Sequence, residues 1–234
     1  MKEIIFYTDN RITEPIKSVV EEQILKAGLP IVSCSLKPLD FGTNTVVDRK
    51  PGFQTYMIQI MTALEDSTAD YVFFCEHDIL YPKSHFDFTP PRNDIFYYNA
   101  NVWRWLYGSD FAITYDRLIS LSGLGVNRQL ALDHYRRRLA KVKEMGWMQD
   151  RKPEPVWARR WGYEPGTKKI KRGGFSDDNF ETWRSDLPIV DIRHRGNISK
   201  AKVTLDSFKH QPENWQEIPI AEIPGWDLKK LFKL

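Results

Sequence analysis

Apolar residues along the first part of the chain are grouped in short segments whose period indicates the type of element. Consecutive apolar residues in KEIIFYTDN, PIVSCSL and YVFFC predict three buried strands. Residues 13–28 and 53–64 carry apolar side chains at helical spacing, and we expect Thr13 to cap the first helix and Gly28 to end it. Strands that alternate with helices through short connections predict a parallel α/β sheet with right-handed crossovers.

The pattern changes in the second half. Residues 94–116 are aromatic and rich in strand formers, which predicts a hairpin or a pair of edge strands, and NRQLALDHYRRRLAKVKEMG predicts a helix with a basic face. Residues 147–174 have no period and predict a long basic loop. LPIVDIRH predicts a further strand, with Val190, Ile192 and His194 on one face. We therefore expect one domain, residues 1–234, with a β-rich and loop-rich C-terminal half.

Composition narrows the picture only slightly. The 234 residues are 41% hydrophobic and 28% charged, and the formal net charge of +3 permits an anionic ligand without requiring one. Cys34 and Cys75 each lie within an apolar run, so we expect buried thiols in a reducing compartment. No apolar run approaches the ~20 residues of a membrane span and no signal peptide is evident, so we expect a cytoplasmic protein without a membrane span.

Polar residues follow two of the predicted strands, at the positions where open parallel sheets bind ligands. TDNR follows the first strand and EHD follows the third. In an extended chain Glu76 and Asp78 project to one side, where two carboxylates could hold Mg²⁺ or Mn²⁺. A solvated turn is the commoner origin of such a cluster. His194 ends another predicted strand and could complete a coordination sphere, but spacing alone does not connect it to Asp78.

Four segments carry a resemblance to a known family: IIFYTDNR, KAGLPIVSCSLKPLDFG, the run from ADYVFFCEHDILYP to FYYNANVWRW, and LPIVDIRHRGNIS. Together they resemble nucleotide-sugar-dependent glycosyltransferases of the GT-A fold, of bacterial and phage type. The resemblance implies a Rossmann-type mixed sheet flanked by helices. It also implies a nucleotide-sugar-binding half, residues 1–93, and an acceptor-binding half, residues 94–234, which contains the basic loop.

The resemblance also implies roles for individual residues. Asp78 and His194 would bind a divalent metal, Mn²⁺ or Mg²⁺, and Glu76 would lie near the metal or the ribose. Glu76 stands where the family commonly has Asp, so its direct contact with the metal is open. The nucleotide-diphosphate sugar would be bound by residues at the strand ends and by nearby basic side chains: Thr8, Asp9, Asn10, Arg11, Arg49, Lys50, Glu76, His77 and Arg195.

An inverting transfer needs a base for the acceptor hydroxyl. GGFSDDNFETW offers Asp177, Asp178 and Glu181 as catalytic candidates, and the preceding glycines suggest a loop that closes over the donor. A solvated helix start capped by Ser176 explains the same residues equally well. A retaining enzyme would need no such base.

Two other interpretations stay open. HYRRRLAKVK, WARRWG and KKIKRGG place cationic residues beside aromatic ones, which is typical of nucleic-acid backbones bound with base stacking. The chain could therefore be a non-catalytic nucleic-acid-binding protein, or a glycosyltransferase whose acceptor is a modified base in DNA. A metal-dependent phosphohydrolase could use the same Glu76, Asp78 and His194 site.

Overall fold

The computed structural model describes residues 1–145, 164–167, 179–197 and 201–234, and these form a mixed α/β domain with two sheets. The helices are α1 (Ile16–Leu25), α2 (Phe53–Asp66), α3 (Lys83–Asp87), α4 (Arg128–Glu144) and α5 (Leu228–Phe232). The strands are β1 (Lys2–Thr8), β2 (Ile31–Ser35), β3 (Thr43–Val46), β4 (Tyr71–Glu76), β5 (Ile79–Leu80), β6 (Phe96–Asn99), β7 (Val102–Leu106), β8 (Phe111–Thr114), β9 (Leu124–Asn127), β10 (Phe180–Trp183), β11 (Ile189–Arg193) and β12 (Gln216–Pro219).

The first sheet has the order β10-β6-β9-β4-β1-β2-β3, and β1 to β4 run parallel within it. The run YVFFC is the central strand of this sheet, as its apolar character predicted. Alternate residues of the central strands enter different cores: Ile4 and Phe73 face one side, whereas Ile5 and Phe74 face the other. Burial on both faces is why these strands appear as continuous apolar runs.

The two faces of the first sheet are covered differently. Helices α2 and α4 supply Met57, Leu64 and Tyr135 to the core on one face. On the other face, α1 and α5 pack together with the second sheet, whose strand order is β12-β8-β7-β11-β5. Strand β5 follows β4 after a two-residue turn, so the two sheets are joined directly beside the end of the central strand.

Several local expectations need correction. Helix α1 begins at Ile16 after Pro15, and Thr13 does not cap it; Glu14 instead accepts a hydrogen bond from the backbone N–H of Ser18 at 3.1 Å. The predicted loop after β2 contains the edge strand β3, whose half-exposed Thr and Asn side chains gave no apolar signal. The predicted hairpin in residues 94–116 is β7 and β8, but β6 belongs to the first sheet.

Two other local expectations, the buried cysteines and the basic helix, are confirmed. Cys34 and Cys75 are buried free thiols on opposite faces of the first sheet. The basic segment from residue 127 is helix α4, which Asn127 caps by accepting from the backbone N–H of Leu130. Within the described parts of the chain, no helix has both the length and the apolar character needed to cross a bilayer.

Two glycines in left-handed backbone conformations give a matched test of packing at the β2–β3 connection. Gly42 has φ +70°, and a Cβ there would lie 2.3 Å from the carbonyl oxygen of Ile31; Gly28 has φ +68° and open space around it. Gly28→Ala should therefore cost only the conformational penalty, about 1 kcal/mol. We expect Gly42→Ala to lower the free energy of unfolding by at least about 2 kcal/mol more, because the backbone must also move. Equal losses in urea unfolding would contradict this packing.

Candidate functional site

The candidate site lies at the topological switch point of the first sheet, where successive strands stop being added on one side of β1 and begin to be added on its other side. From β1 the chain extends the sheet through β2 and β3 on one side, then crosses to place β4 on the other side of β1. Because these four strands are parallel, their carboxyl ends share one edge. In open α/β sheets the crevice at such a switch point is the usual ligand site. Thr8 and Glu76, which end β1 and β4, flank this crevice.

The side chains of Thr8 and His77 form a hydrogen bond across the crevice. The Thr8 hydroxyl oxygen lies 2.7 Å from Nδ1 of His77 and also accepts a hydrogen bond from the backbone N–H of Asn10 at 3.0 Å. The bond fixes the imidazole orientation and leaves Nε2 as the nitrogen that can serve a ligand. Thr8 was predicted to contact a nucleotide; in this structure its hydroxyl positions His77.

A turn after β4 brings the EHD and DIRH segments together. His77 and Asp78 form the turn, β5 then pairs antiparallel with β11, and the backbone N–H of Ile192 donates to the carbonyl of Asp78 at 2.9 Å. Because the turn breaks strand alternation, Asp78 groups with His77 and not with Glu76. In place of the expected same-side pair, Asp78 meets His77 and His194, and Glu76 lies beside them, where the charge of Asp78 raises its pKa.

His77, Asp78 and His194 form the candidate ligand group. One donor atom from each lies within 4.8 Å of the other two. Nε2 of His194 is buried, has no hydrogen-bond partner and lies 3.4 Å from Oδ2 of Asp78. The 3.4 Å contact with the Asp78 carboxylate lies within ion-pair distance without forming a well-aligned hydrogen bond, so a cation bound between the two atoms would satisfy both. Two imidazoles with one carboxylate fit a divalent ion, and the imidazoles favour Mn²⁺ over Mg²⁺.

The turn that follows β11 positions this group. Nδ2 of Asn197 donates to Oδ2 of Asp78, and Oδ1 of Asn197 accepts from the backbone N–H of His194. The N–H of Gly196 donates to Nδ1 of His194 at 3.2 Å, which places the proton of the neutral ring on Nε2. To hold a metal through Nε2, His194 would have to carry its ring proton on Nδ1, and Nδ1 could then no longer accept the hydrogen bond from Gly196. Asn197 was not among the residues predicted for the site, although an Asn after Gly is a common turn signal.

Glu76 lies beside this group without belonging to it. The Tyr7 hydroxyl donates to Oε1 of Glu76 at 2.6 Å, and the backbone N–H of Glu76 donates to the Tyr81 hydroxyl at 3.0 Å. Burial raises the pKa of Glu76 to about 8, and the nearby charge of Asp78 adds to the rise. For Asp78 burial also opposes ionisation, but contact with His194 and the charge of His77 outweigh it and lower its pKa. Of the two carboxyls, Asp78 is the one held as an anion.

A buried ion cluster lies next to the site on β7 and β11. Nε of Arg104 donates to Oδ2 of Asp191 at 2.8 Å, and a guanidinium nitrogen of Arg193 lies 3.3 Å from Oδ1 of the same carboxylate. The charge of Asp191 raises the pKa of Glu76 and the charge of Arg193 lowers it, so this cluster contributes to the electrostatic field at the carboxyl end of β4. The sequence analysis treated this stretch as a simple strand.

The polar residues that follow Thr8 form hydrogen bonds within their own loop and with the end of β2. Asp9 accepts from Nε of Arg11 at 2.7 Å, and most of the Arg11 side chain is exposed. Oδ1 of Asn10 accepts from the backbone N–H groups of Leu36 and Lys37, at 2.8 and 2.9 Å. The Asn10 side chain therefore joins the end of β1 to the end of β2, and that oxygen is occupied.

The predicted basic side chains lie in loops. Arg49 and Lys50 are exposed between β3 and α2, at the edge that holds the parallel strand ends, and Arg195 is exposed in the turn after β11. Each is placed where it could approach a ligand in the crevice. The structure gives none of them a bond to the candidate ligand group.

Of the three residues predicted as the catalytic base, the structure describes only Glu181. Asp177 and Asp178 lie outside the described residues. Glu181 lies exposed on edge strand β10, three strand positions from β4, and pairing through Tyr97 and Gly125 aligns it with Phe73. The ordinary strand spacing puts it about 14 Å to the side of β4 and below its carboxyl end. The structure does not bring Glu181 to the candidate ligand group.

Comparisons with known proteins give distant likenesses only. No protein-family model and no curated protein sequence matches the chain. Among solved structures, the chain is similar to a glycosyltransferase involved in glycosylation of the major capsid of PBCV-1, with TM-score 0.47, 10% identity, and coverage of 81% of this chain and 92% of that one.

Two further structures are similar at the same level. One is a Drosophila β1,4-galactosyltransferase 7 mutant in complex with manganese, UDP-Gal and xylobiose, with TM-score 0.40, 10% identity, and coverage of 87% of this chain and 75% of that one. The other is the bifunctional IspDF from Campylobacter jejuni, with TM-score 0.40, 14% identity, and coverage of 62% and 47%. Likenesses this distant carry no weight for activity.

Proposed function

We propose that the chain is a metal-dependent glycosyltransferase that transfers a sugar from a nucleotide-diphosphate sugar to an acceptor hydroxyl. The observation that carries this proposal is the meeting of His77, Asp78 and His194 at the sheet's switch point, with a buried nitrogen of His194 that lacks a hydrogen-bond partner. A crevice of this type is where α/β sheets bind nucleotides. The resemblance in the EHD and DIRH segments names two of these residues, Asp78 and His194, as metal ligands, with Glu76 rather than His77 as the third candidate.

In this proposal, different residues would bind the metal, orient its ligands and bind the diphosphate. His77, Asp78 and His194 would hold a divalent ion, which when bound neutralises charge on the leaving nucleoside diphosphate. Thr8 and Asn197 would keep two of these ligands in their orientation through the hydrogen bonds described above. Arg11, Arg49, Lys50 and Arg195 are the side chains proposed for charge-assisted bonds to the diphosphate. The base for an inverting reaction is proposed among Asp177 and Asp178.

A panel of nucleotide sugars incubated with Mn²⁺ tests this function through release of nucleoside diphosphate. We expect one donor to be consumed in preference to the others, and release to increase when an acceptor is supplied. Saccharides and duplex DNA carrying hydroxymethylated bases are the acceptors to compare. Equal release from all nucleotides, with or without a sugar, would contradict the proposal and favour a phosphohydrolase.

Thr8 gives a prediction about metal affinity that is separate from turnover. Thr8→Val removes the hydroxyl that bonds Nδ1 of His77 while keeping the shape of the side chain. Loss of such an orienting bond typically weakens metal binding by about 10- to 100-fold. Calorimetric titration with Mn²⁺ measures the change, and Thr13→Val at an exposed position is the matched control. Unchanged affinity in Thr8→Val would remove the positioning role.

A further inference from the structure

A second candidate binding site is an open surface cavity of 450 Å³ whose lining residues come from both sheets. Its walls come from the start of β7, the end of β8, the start of β12 and edge strand β10. The volume falls within the range of about 300–1,000 Å³ that is typical of small-molecule sites. The cavity shares no residue with the candidate ligand group.

Four polar side chains in the wall of this cavity, those of Asn101, Asp116, Arg184 and Asn214, already make hydrogen bonds. The Arg184 guanidinium donates to the carbonyl of Ala100 at 2.9 Å and to Oδ1 of Asn101 at 3.3 Å. Nδ2 of Asn101 donates to the carbonyl of Ser185 at 2.8 Å, and Nδ2 of Asn214 donates to Asp116 at 2.8 Å. Planar amide and guanidinium groups fixed in this way offer a ligand donors and acceptors with little loss of side-chain entropy.

Aromatic rings supply the apolar part of the wall. Trp103 lines the cavity with 8% of its surface exposed, and Tyr115 lies beside it in the wall. Tyr115 is stacked parallel to Trp215 at 6.0 Å and packed edge-to-face against Phe208 at 5.2 Å, so its ring is rigid. A fixed aromatic surface next to fixed amides suits a ligand with an apolar face and hydroxyl groups around its rim.

Two residues of the cavity wall have backbone conformations that L-residues seldom adopt. Arg117 has φ +62° and Asn214 has φ +52°. Asn tolerates this region, but Arg rarely occupies it. Such local strain is concentrated at ligand-binding positions, where surrounding structure maintains it. Both residues face the same cavity from different segments, which is consistent with a built site.

The charges of the wall favour a neutral ligand. The charged lining residues are Arg117, Arg184 and Asp116; two of them, Arg184 and Asp116, already bond other lining residues, and the remaining lining groups are uncharged. A phosphate or polyanion site would concentrate free cationic donors instead. We infer that this cavity binds a saccharide ring. The binding is independent of the metal site, whereas the identification of that saccharide as the acceptor rests on the proposed function.

Saturation-transfer NMR on the full chain, with a panel of methyl glycosides of common hexoses and pentoses and without metal or nucleotide, tests the inference. At least one glycoside should bind. Arg117→Gly, which suits the left-handed backbone, and Gln216→Ala, at an exposed position of the wall, should each weaken binding at least tenfold. Arg92→Ala, an exposed arginine outside the cavity, should leave it unchanged.

Four results of this experiment are decisive. Binding that Asp78→Asn retains and the two cavity variants lose supports the inference, even if no donor is ever turned over. Absence of binding by every glycoside overturns it. Binding that Arg117→Gly and Gln216→Ala both keep, with unchanged thermal unfolding, also overturns it. Displacement of the sugar by inorganic phosphate at equal concentration would identify an anion site and overturn it as well.

Discussion

Replacing Asp78 by Asn should reduce the release of nucleoside diphosphate by about a thousandfold, equivalent to about 4 kcal/mol of transition-state stabilisation. Asn keeps the size of the side chain and can still accept the hydrogen bond from Asn197, so the turn should persist. What is lost is the buried negative charge, which the contact with His194 and the charge of His77 favour by lowering the Asp78 pKa despite burial. The carboxylate is the one anionic member of the candidate ligand group.

The matched control for this substitution is Asp94→Asn. Asp94 is an exposed carboxylate that pairs only with the neighbouring Arg92 in the described structure, and it lies just before the start of β6, at the edge of the sheet opposite the carboxyl end of β4. The Asp94→Asn variant should release nucleoside diphosphate at the same rate as the wild type. Activity of Asp78→Asn within about threefold of the wild type, with an unchanged urea-unfolding midpoint, would remove Asp78 from the catalytic site.

Asp191→Ala should lower the free energy of unfolding by about 3–5 kcal/mol, the usual result of removing one partner from a buried ion cluster. The Asp191 side chain is 4% exposed and contacts the guanidinium groups of Arg104 and Arg193, whose side chains are 12% and 9% exposed. Without this carboxylate, both cations lose a charged partner in a setting that water reaches poorly. Urea unfolding, followed by tryptophan fluorescence and circular dichroism, measures the loss.

Asp94→Ala serves as the control for this experiment also, because it removes a carboxylate from an exposed pair. Such pairs contribute little to stability, so its unfolding midpoint should match the wild type. A loss for Asp191→Ala smaller than about 1 kcal/mol would show that the cluster is well solvated. The influence of the Asp191 and Arg193 charges on the pKa of Glu76 would then be contradicted.

The parts of the fold that the sequence predicted are those with strong local signals. The apolar run before Glu76 predicted a buried strand, and it is the central strand of the first sheet, buried on both faces. The helical spacing of residues 53–64 likewise identified α2. By contrast, β3 pairs through its backbone with few apolar side chains, so its pattern did not distinguish it from a loop.

The site was predictable in its location but not in its geometry. Strand ends EHD and DIRH identified the two segments, and the antiparallel pairing of β5 with β11 explains why they meet. The turn at His77 and Asp78 was not predictable from alternation, which holds only while the chain stays extended. The bonds from Thr8 to His77 and from Tyr7 to Glu76 depend on the register of β1 against β4, which residue spacing does not reveal.

The central claim is that His77, Asp78 and His194 hold a divalent ion that meets the diphosphate of the donor. Pulsed electron paramagnetic resonance of Mn²⁺ bound to the full chain, with and without a nucleoside diphosphate, tests it most directly. We predict one tightly bound ion with nitrogen couplings from two imidazoles, and phosphorus couplings that appear when the nucleotide is added. Loss of one nitrogen coupling in His194→Gln would confirm the assignment. A spectrum of fully hydrated Mn²⁺, without nitrogen or phosphorus couplings, would contradict the claim.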